Sequence, residues 1–192
     1  MVRWSEVYAN TEILSPIDRQ TWQVIGEIFK ISDSSRVIEL ASGKGALAHY
    51  FARNFGCRVD GYDLNSEFVD YSNDRARDLG LESKVKFTRS DINRLKVTRG
   101  ACDLGACFGA LYIFRPNGWD VLAQAVKPHG FFAISDMVCK KSPPPKELAD
   151  VFFEGPDQPL TREGARRWYT SWGARILREE TCSLGAWLEY YD

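Results

Sequence analysis

Apolar positions along the chain switch repeatedly between two periods. Short runs in which they are continuous or alternate singly fall at 36–40, 58–62, 84–88, 102–108 and 130–135, and each predicts a strand. Between the runs the spacing lengthens to three or four. Leu47, Ala48, Phe51 and Phe55 then share one helical face, Phe68, Tyr71, Ser72, Ala76 and Leu79 a second, and Trp119, Leu122, Ala123 and Val126 a third. Gly80 is placed to end the second helix, and Pro128 with Gly130 to break the third. On this count His49 falls off the apolar face and reads as a surface residue. Strands alternating with helices predict an α/β fold: a doubly wound, mostly parallel sheet covered on both faces. The lysines of "KVKFT" suit an edge strand, and the small residues of "CDLGACF" a crowded interior one.

The flanks carry their own pattern. Residues 1–35 predict an N-terminal helical cap that turns Ile17, Trp22, Ile25 and Phe29 inward, ahead of a main domain over 36–192. The proline-bearing segment 139–161 predicts a surface excursion or lid, because its prolines fit neither a sheet nor a regular helix. Thr161 is then placed to cap a helix bearing Ala165, Trp168, Tyr169 and Trp172, stopped by Gly173, with a further strand over 175–182.

Composition narrows the field. Among 192 residues, 25 lysines and arginines nearly cancel 26 aspartates and glutamates, so no strong field favours nucleic acid or an anionic membrane as partner. Five cysteines without CxxC spacing and only two histidines, His49 and His129, argue for a reducing compartment and against a zinc cluster. With no apolar leader at the N-terminus and no run long enough to span a bilayer, a cytoplasmic location is expected.

The candidate chemistry lies after the first predicted strand. Gly43-x-Gly45-x-x-Ala48, with Asp63 twenty residues beyond Gly43, satisfies the dinucleotide fingerprint. It equally satisfies a plain tight turn. Glu39 distinguishes the ligands, because a carboxylate at the end of that strand opposes a pyrophosphate and suits a cation. S-adenosylmethionine carries an α-ammonium and a sulfonium and no phosphate. An NAD(P)-dependent oxidoreductase is the alternative that the glycine spacing keeps open.

The successive motifs "VIELASGKG", "VDGYDLN", "VKFTRSDI", "CDLGACFGALYIF" and "VKPHGFFAISD", in order over about 36–136, resemble those of class I S-adenosylmethionine-dependent methyltransferases. The resemblance implies S-adenosylmethionine as cofactor, S-adenosylhomocysteine as product and in-line transfer to a small-molecule acceptor. It places Glu39 and the turn Ala41, Ser42, Gly43 and Gly45 around the methionine part, Asp63 on the ribose, Leu64 and Ile92 against the adenine, Asp91 on its amino group, and Cys107 and Phe108 on the floor. Tyr8, Tyr112, Phe114 and Asp136 are the acceptor-side candidates. Asp63 and Asp91 are alternatively loop carboxylates that cap the next turn, Asp136 begins a loop, and Lys44 reads as solvated. No residue is marked as catalytic and no metal site is implied, and a protein that only binds the cofactor is a further alternative. Cys107 reads as a buried small hydrophobe, since nothing nearby in the chain would lower its pKa.

Three departures from the family pattern stand out: Ala41 where a glycine is usual, Glu39 for aspartate, and His129 within "KPHG". If the backbone at Ala41 needs positive φ, alanine strains it. The family's sheet usually ends in an antiparallel seventh strand, and "SLGAWLEYYD" makes a poor one. A sheet lacking that strand is therefore expected, as a monomer or a homodimer that covers the open edge.

Overall fold

The computed structural model describes residues 3–141, 143–146 and 160–191. Two helices precede the sheet, α1 (Trp4–Val7) and α2 (Arg19–Ile28). Alternation then begins with β1 (Arg36–Leu40), α3 (Ala46–Phe55), β2 (Arg58–Asp63), α4 (Ser66–Asp78) and β3 (Val85–Arg89). It continues with β4 (Cys102–Phe108), α5 (Asn117–Ala125) and β5 (Val126–Ser135). After β5 come α6 (Arg162–Ser171) and α7 (Leu184–Tyr191).

Five strands form one parallel sheet in the order β3-β2-β1-β4-β5. The lysine-bearing β3 is an edge, and the small-residue β4 lies inside. Every strand pair is parallel, so the open-sheet expectation holds, and the chain direction reverses its spread between β1 and β4. In such sheets ligands bind at the carboxyl ends of the strands on either side of that reversal.

Alternation along the strands builds two cores. Val37, Val59, Val85, Phe87 and Leu104 pack against Trp22, Leu47, Phe51 and Val69 from α2, α3 and α4. Ile38, Leu40, Cys107 and Leu111 pack against Trp119 and Leu122 of α5, with Trp168 and Tyr169 of α6 over them. Asp18 caps α2 by accepting from the Thr21 N–H at 2.7 Å, Asn65 caps α4, and Thr161 caps α6 through the Gly164 N–H at 3.0 Å. Such side-chain oxygens satisfy donors that a helix start leaves open.

Several positions depart from the pattern read in the sequence. In α4, Val69 is buried and Tyr71 is 42% exposed, while Ala123 on α5 faces outward. The "KPHG" turn lies within β5: the ladder passes from Cys102–Val126 directly to Leu104–Phe131, so Lys127 to Gly130 bulge out of register. His129 takes φ 62° there, and the bulge sits at the end of the sheet opposite the glycine turn.

Residues 175–182 form no strand, and Ile176 and Leu177 are 40% and 49% exposed. The stretch expected to be too poor for a seventh strand contains helix α7 instead. Most of the excursion over 139–161 lies outside the described residues, but its ends meet, with the Cys139 N–H donating to the Leu160 carbonyl at 3.0 Å.

Candidate cofactor site

The turn after β1 is held in a shape that few residues adopt. Ala41, Gly43 and Gly45 have φ of 52°, 52° and 73°, so the strain anticipated at Ala41 is present. Gly45 is obligatory for a second reason, since a Cβ there would lie 2.4 Å from the Phe87 ring. The Gly43 peptide is fixed at both polar ends: its N–H donates to Asp63 Oδ2 at 2.8 Å and its carbonyl accepts from Ser72 Oγ at 3.1 Å.

Two carboxylates face this turn. Glu39, at the end of β1, is 4% exposed, and its Oε2 has no hydrogen-bond partner among the described residues. Burial first and the neighbouring Asp63 second push its pKa up to about 8, against a backbone bond from Ala48. Asp63 is also raised by burial, while the N–H groups of Asn65 and Gly43 pull it down. Both Asp63 oxygens therefore serve the backbone, Oδ1 accepting from Asn65 at 2.9 Å, and each keeps lone pairs for a second donor. Ser42 Oγ, also buried, is without a partner among the described residues.

The remaining candidates line the same carboxyl edge. Leu64 is 63% exposed and Ile92 is buried. Asp91 caps a short 3₁₀ turn through the Asn93 N–H at 2.9 Å, so the capping role weighed for it is real, and its side chain is 40% exposed. Cys107 is fully buried, and burial, with Asp136 and Glu39 adding to it, lifts its thiol well above the usual range. That fits the reading of a small buried hydrophobe, with Phe108 half-buried beside it.

On the acceptor side the candidates separate. Asp136, at the end of β5, shares Oδ2 between Arg115 at 2.8 Å and the Tyr169 hydroxyl at 2.9 Å. Both side chains of the Asp136–Arg115 pair are 7% exposed, and the guanidinium also lies 5.3 Å from the Trp168 ring. Asp136 thus ties the loop after β4 to α6. Phe114 packs against α5 at Gly118, where a Cβ would lie 2.7 Å from its ring. Tyr8 is half-buried and shares a 2.7 Å hydroxyl bond with Tyr190, and Tyr112 is half-buried in the 3₁₀ turn Leu111–Ile113.

Two residues contradict the sequence reading. Lys44 is 8% exposed, not solvated, and its ammonium donates to the carbonyls of Tyr8 and Ala9. His49 is 6% exposed, and its Nε2 bonds the Ser72 carbonyl at 3.0 Å. Ser72, Arg115 and Tyr169 were not singled out for polar roles. Arg115 carried no signal beyond its place before a proline, and Ser72 and Tyr169 lie on faces that read simply as apolar.

The unpartnered Glu39 oxygen and Ser42 hydroxyl offer one anionic and one neutral polar group beside a glycine backbone. A ligand that presents an ammonium and a carboxylate fits this donor and acceptor set.

Residues 37–130 match the family pattern of a methyltransferase domain. The uncharacterized protein YjhP of Escherichia coli is 29% identical over 141 residues, 72% of this chain and 56% of that protein. The geranyl diphosphate 2-C-methyltransferase of Saccharopolyspora erythraea is 30% identical over 71 residues, 35% of this chain and 25% of that enzyme. The chain therefore spans about half of the first relative and a quarter of the second.

Among solved structures, YjhP superposes with TM-score 0.82 at 24% identity over 97% of this chain and 77% of its own. An S-adenosylmethionine-dependent methyltransferase from Thiobacillus denitrificans, in complex with S-adenosylhomocysteine, gives 0.84 at 22% identity over 99% and 78%. At these identities the superpositions establish the fold.

Proposed function

We propose that this chain, which matches a methyltransferase domain over residues 37–130 and has the fold of S-adenosylmethionine-dependent methyltransferases, binds S-adenosylmethionine and transfers its methyl group to a small-molecule acceptor. The observation that carries the reading is Glu39, a buried carboxylate whose Oε2 has no partner among the described residues, beside Asp63 at the reversal of the sheet. Such a site favours a ligand that brings positive charge. A pyrophosphate there would meet the Asp63 carboxylate, and Glu39 wherever it is ionised, as like charge in a poorly hydrated cleft, at a cost on the order of a kcal/mol or more, which disfavours the oxidoreductase reading.

In this reading Glu39 and Ser42 hold the amino-acid part and the Asp63 oxygens accept from the ribose hydroxyls. Leu64 and Ile92 flank the adenine, and Asp91 accepts from its amino group. Cys107 and Phe108 form an apolar floor that keeps water away from the reacting centre. When bound, the cofactor supplies an electrophilic methyl on sulfur, which becomes a neutral thioether as the methyl departs. The chain contributes alignment and exclusion of water.

Neither histidine is placed to take a proton at that centre. His49 is turned to the Ser72 carbonyl and His129 lies at the far end of the sheet. An acceptor that arrives as a free amine or an anion fits this site, since the chain need not deprotonate it. Small-molecule chemistry is also what the name of the Saccharopolyspora relative records. On the acceptor side, Tyr8, whose hydroxyl bonds Tyr190, and Tyr112 are the polar aromatic candidates, while Asp136 holds Arg115 and Tyr169.

Calorimetric titration of the purified chain with S-adenosylhomocysteine and with NAD tests the cofactor. Binding of the first and not the second is expected, and the reverse would overturn the reading. Transfer of label from methyl-labelled cofactor to pooled metabolites then tests the reaction.

A further inference from the structure

Lys44 stands in the middle of the glycine turn, yet it is turned inward and 8% exposed. Its ammonium donates to the carbonyl of Tyr8, and to that of Ala9 at 3.1 Å, and lies 5.2 Å from the Tyr71 ring. Those two carbonyls belong to the segment between α1 and α2, which is held besides by the Tyr8–Tyr190 hydroxyl bond and by Ile13 packed on the core. Helix α1 buries no residue. The ion pairs Arg3–Glu67 at 3.0 Å and Arg19–Glu12 at 2.7 Å join exposed side chains, and exposed pairs of this kind contribute little.

From Lys44 the same segment crosses the cleft. Leu14 covers Gly43, where a Cβ would fall 2.7 Å from its Cδ1, and Ser15 reaches Gly109, where a Cβ would fall 3.3 Å from its own. Ser15 is buried. Residues 8–15 therefore run from the turn after β1 to the turn after β4, across the end of the cleft that holds Glu39, Ser42 and Cys107. The other end, at Leu64 and Asp91, stays exposed.

We propose that Lys44 is a positioning residue that fastens the segment 8–15 over the β1–β4 end of the cleft, enclosing the amino-acid part of the bound cofactor and leaving its adenosine part accessible. The proposal rests on the reading that this cleft holds S-adenosylmethionine. Cofactor and product would then leave only when the Lys44 bonds to Tyr8 and Ala9 break, so Lys44 governs the rate of exchange more than the contacts of the adenosine end.

The test compares two probes on the full chain, S-adenosylhomocysteine, which fills both ends, and adenosine, which fills only the open one. K44M keeps the aliphatic stem and removes the ammonium, and K44R keeps a cation able to reach both carbonyls. Stopped-flow measurement should find S-adenosylhomocysteine leaving K44M at least tenfold faster than wild type, adenosine affinity within twofold, and K44R close to wild type. Unchanged release from K44M would overturn the proposal. So would equal loss of affinity for both probes, which would mean that Lys44 only supports the turn.

If K44M does not fold, hydrogen exchange on the wild type decides. Amides of residues 5–15 should gain protection with S-adenosylhomocysteine and not with adenosine, and equal protection would overturn the fastening. If wild type binds neither probe, the cofactor reading has failed. The fastening is then read without ligand, from amides of residues 5–15 exchanging at least tenfold faster in K44M, and unchanged exchange overturns it.

Discussion

Gly43 and Asp63, twenty residues apart in the chain, meet at the carboxyl edge of the sheet, where the Gly43 N–H donates to Asp63 Oδ2 at 2.8 Å. The spacing that marks a ribose-binding carboxylate in the sequence is thus also a backbone clamp. One side chain at the end of β2 sets the shape of the turn after β1 and keeps lone pairs for a ligand.

This dual role defines what Asp63→Ala should do. Losing the ribose acceptor should weaken S-adenosylhomocysteine binding at least tenfold, because charge-assisted bonds are worth about 1.5–3 kcal/mol. The buried Gly43 N–H is then left open, so stability should fall by about 1–3 kcal/mol as well. Asp63→Asn, which keeps one acceptor oxygen, should lie between. Calorimetry and urea melts on the three proteins check both effects, and an unchanged dissociation constant in Asp63→Ala would remove Asp63 from the site.

Glu39 makes a prediction about pH. Its pKa of about 8 in the fold exceeds the ordinary 4.5, so between these values the folded protein holds a proton that the unfolded chain has released. Stability from this group is complete at low pH and declines as pH rises through about 4.5 to about 8. Asp63 and Asp136 are raised by burial in the same sense. A cationic ligand favours the ionised carboxylate, so affinity for S-adenosylmethionine should rise over the same window. Glu39→Gln should flatten both slopes, and urea melts at pH 5, 6.5 and 8 that run parallel for wild type and variant would contradict this.

The parts of the fold that follow from period and spacing were legible. The runs at 36–40 and 102–108 are strands to the residue, and the others differ from the observed spans by one residue or a few at an end. The clustering of Glu39, the glycine turn and Asp63 follows from strands of similar length in parallel register, which bring their carboxyl ends together. What was not legible depends on a third partner. Helix α3 touches the sheet, α2 and α4, so Leu47, Ala48, His49, Phe51 and Ala52 are all buried, and counting one apolar face misplaces His49. Lys44 is held by the carbonyls of Tyr8 and Ala9, 36 and 35 residues away in sequence. The strand expected over 175–182 is not formed, although β5 is an outer strand of the sheet among the described residues, and no local pattern reveals this.

Ala41 carries a prediction of the opposite sign from most substitutions. An alanine at φ 52° is strained by about 1 kcal/mol or more. Glycine relieves the strain but adds freedom to the unfolded chain, which returns part of the gain. Ala41→Gly should therefore leave the protein as stable or more stable by up to about 1 kcal/mol, which raises Tm by about 2–4 °C at this size. Cofactor affinity should not fall. A drop in Tm of several degrees would show that the Ala41 methyl contributes packing that outweighs the strain.

His49 gives the acid side of the profile. Its pKa is lowered, by burial first and by the nearby Arg75, against the bond to the Ser72 carbonyl. Because Ser72 O only accepts, Nε2 must carry the proton and Nδ1 is the site that titrates. As pH falls below the ordinary 6.5, the unfolded chain takes up this proton before the fold does, so His49 removes stability toward acid, opposite in sign to Glu39. The loss has a structural address: the ring meets Phe87 at 5.2 Å between centroids, and its Cε1 lies 3.0 Å from where a Gly45 Cβ would stand. Charging it therefore disturbs the glycine turn as well as the core. His49→Gln keeps a donor that can reach the carbonyl and removes the titration. Over pH 5 to 6.5 His49 and Glu39 act in opposite senses, so wild-type stability should change little there, and His49→Gln should expose the Glu39 decline across the whole range from pH 5 to 8. A variant profile parallel to wild type between pH 5 and 6.5 would show that His49 does not set the acid side.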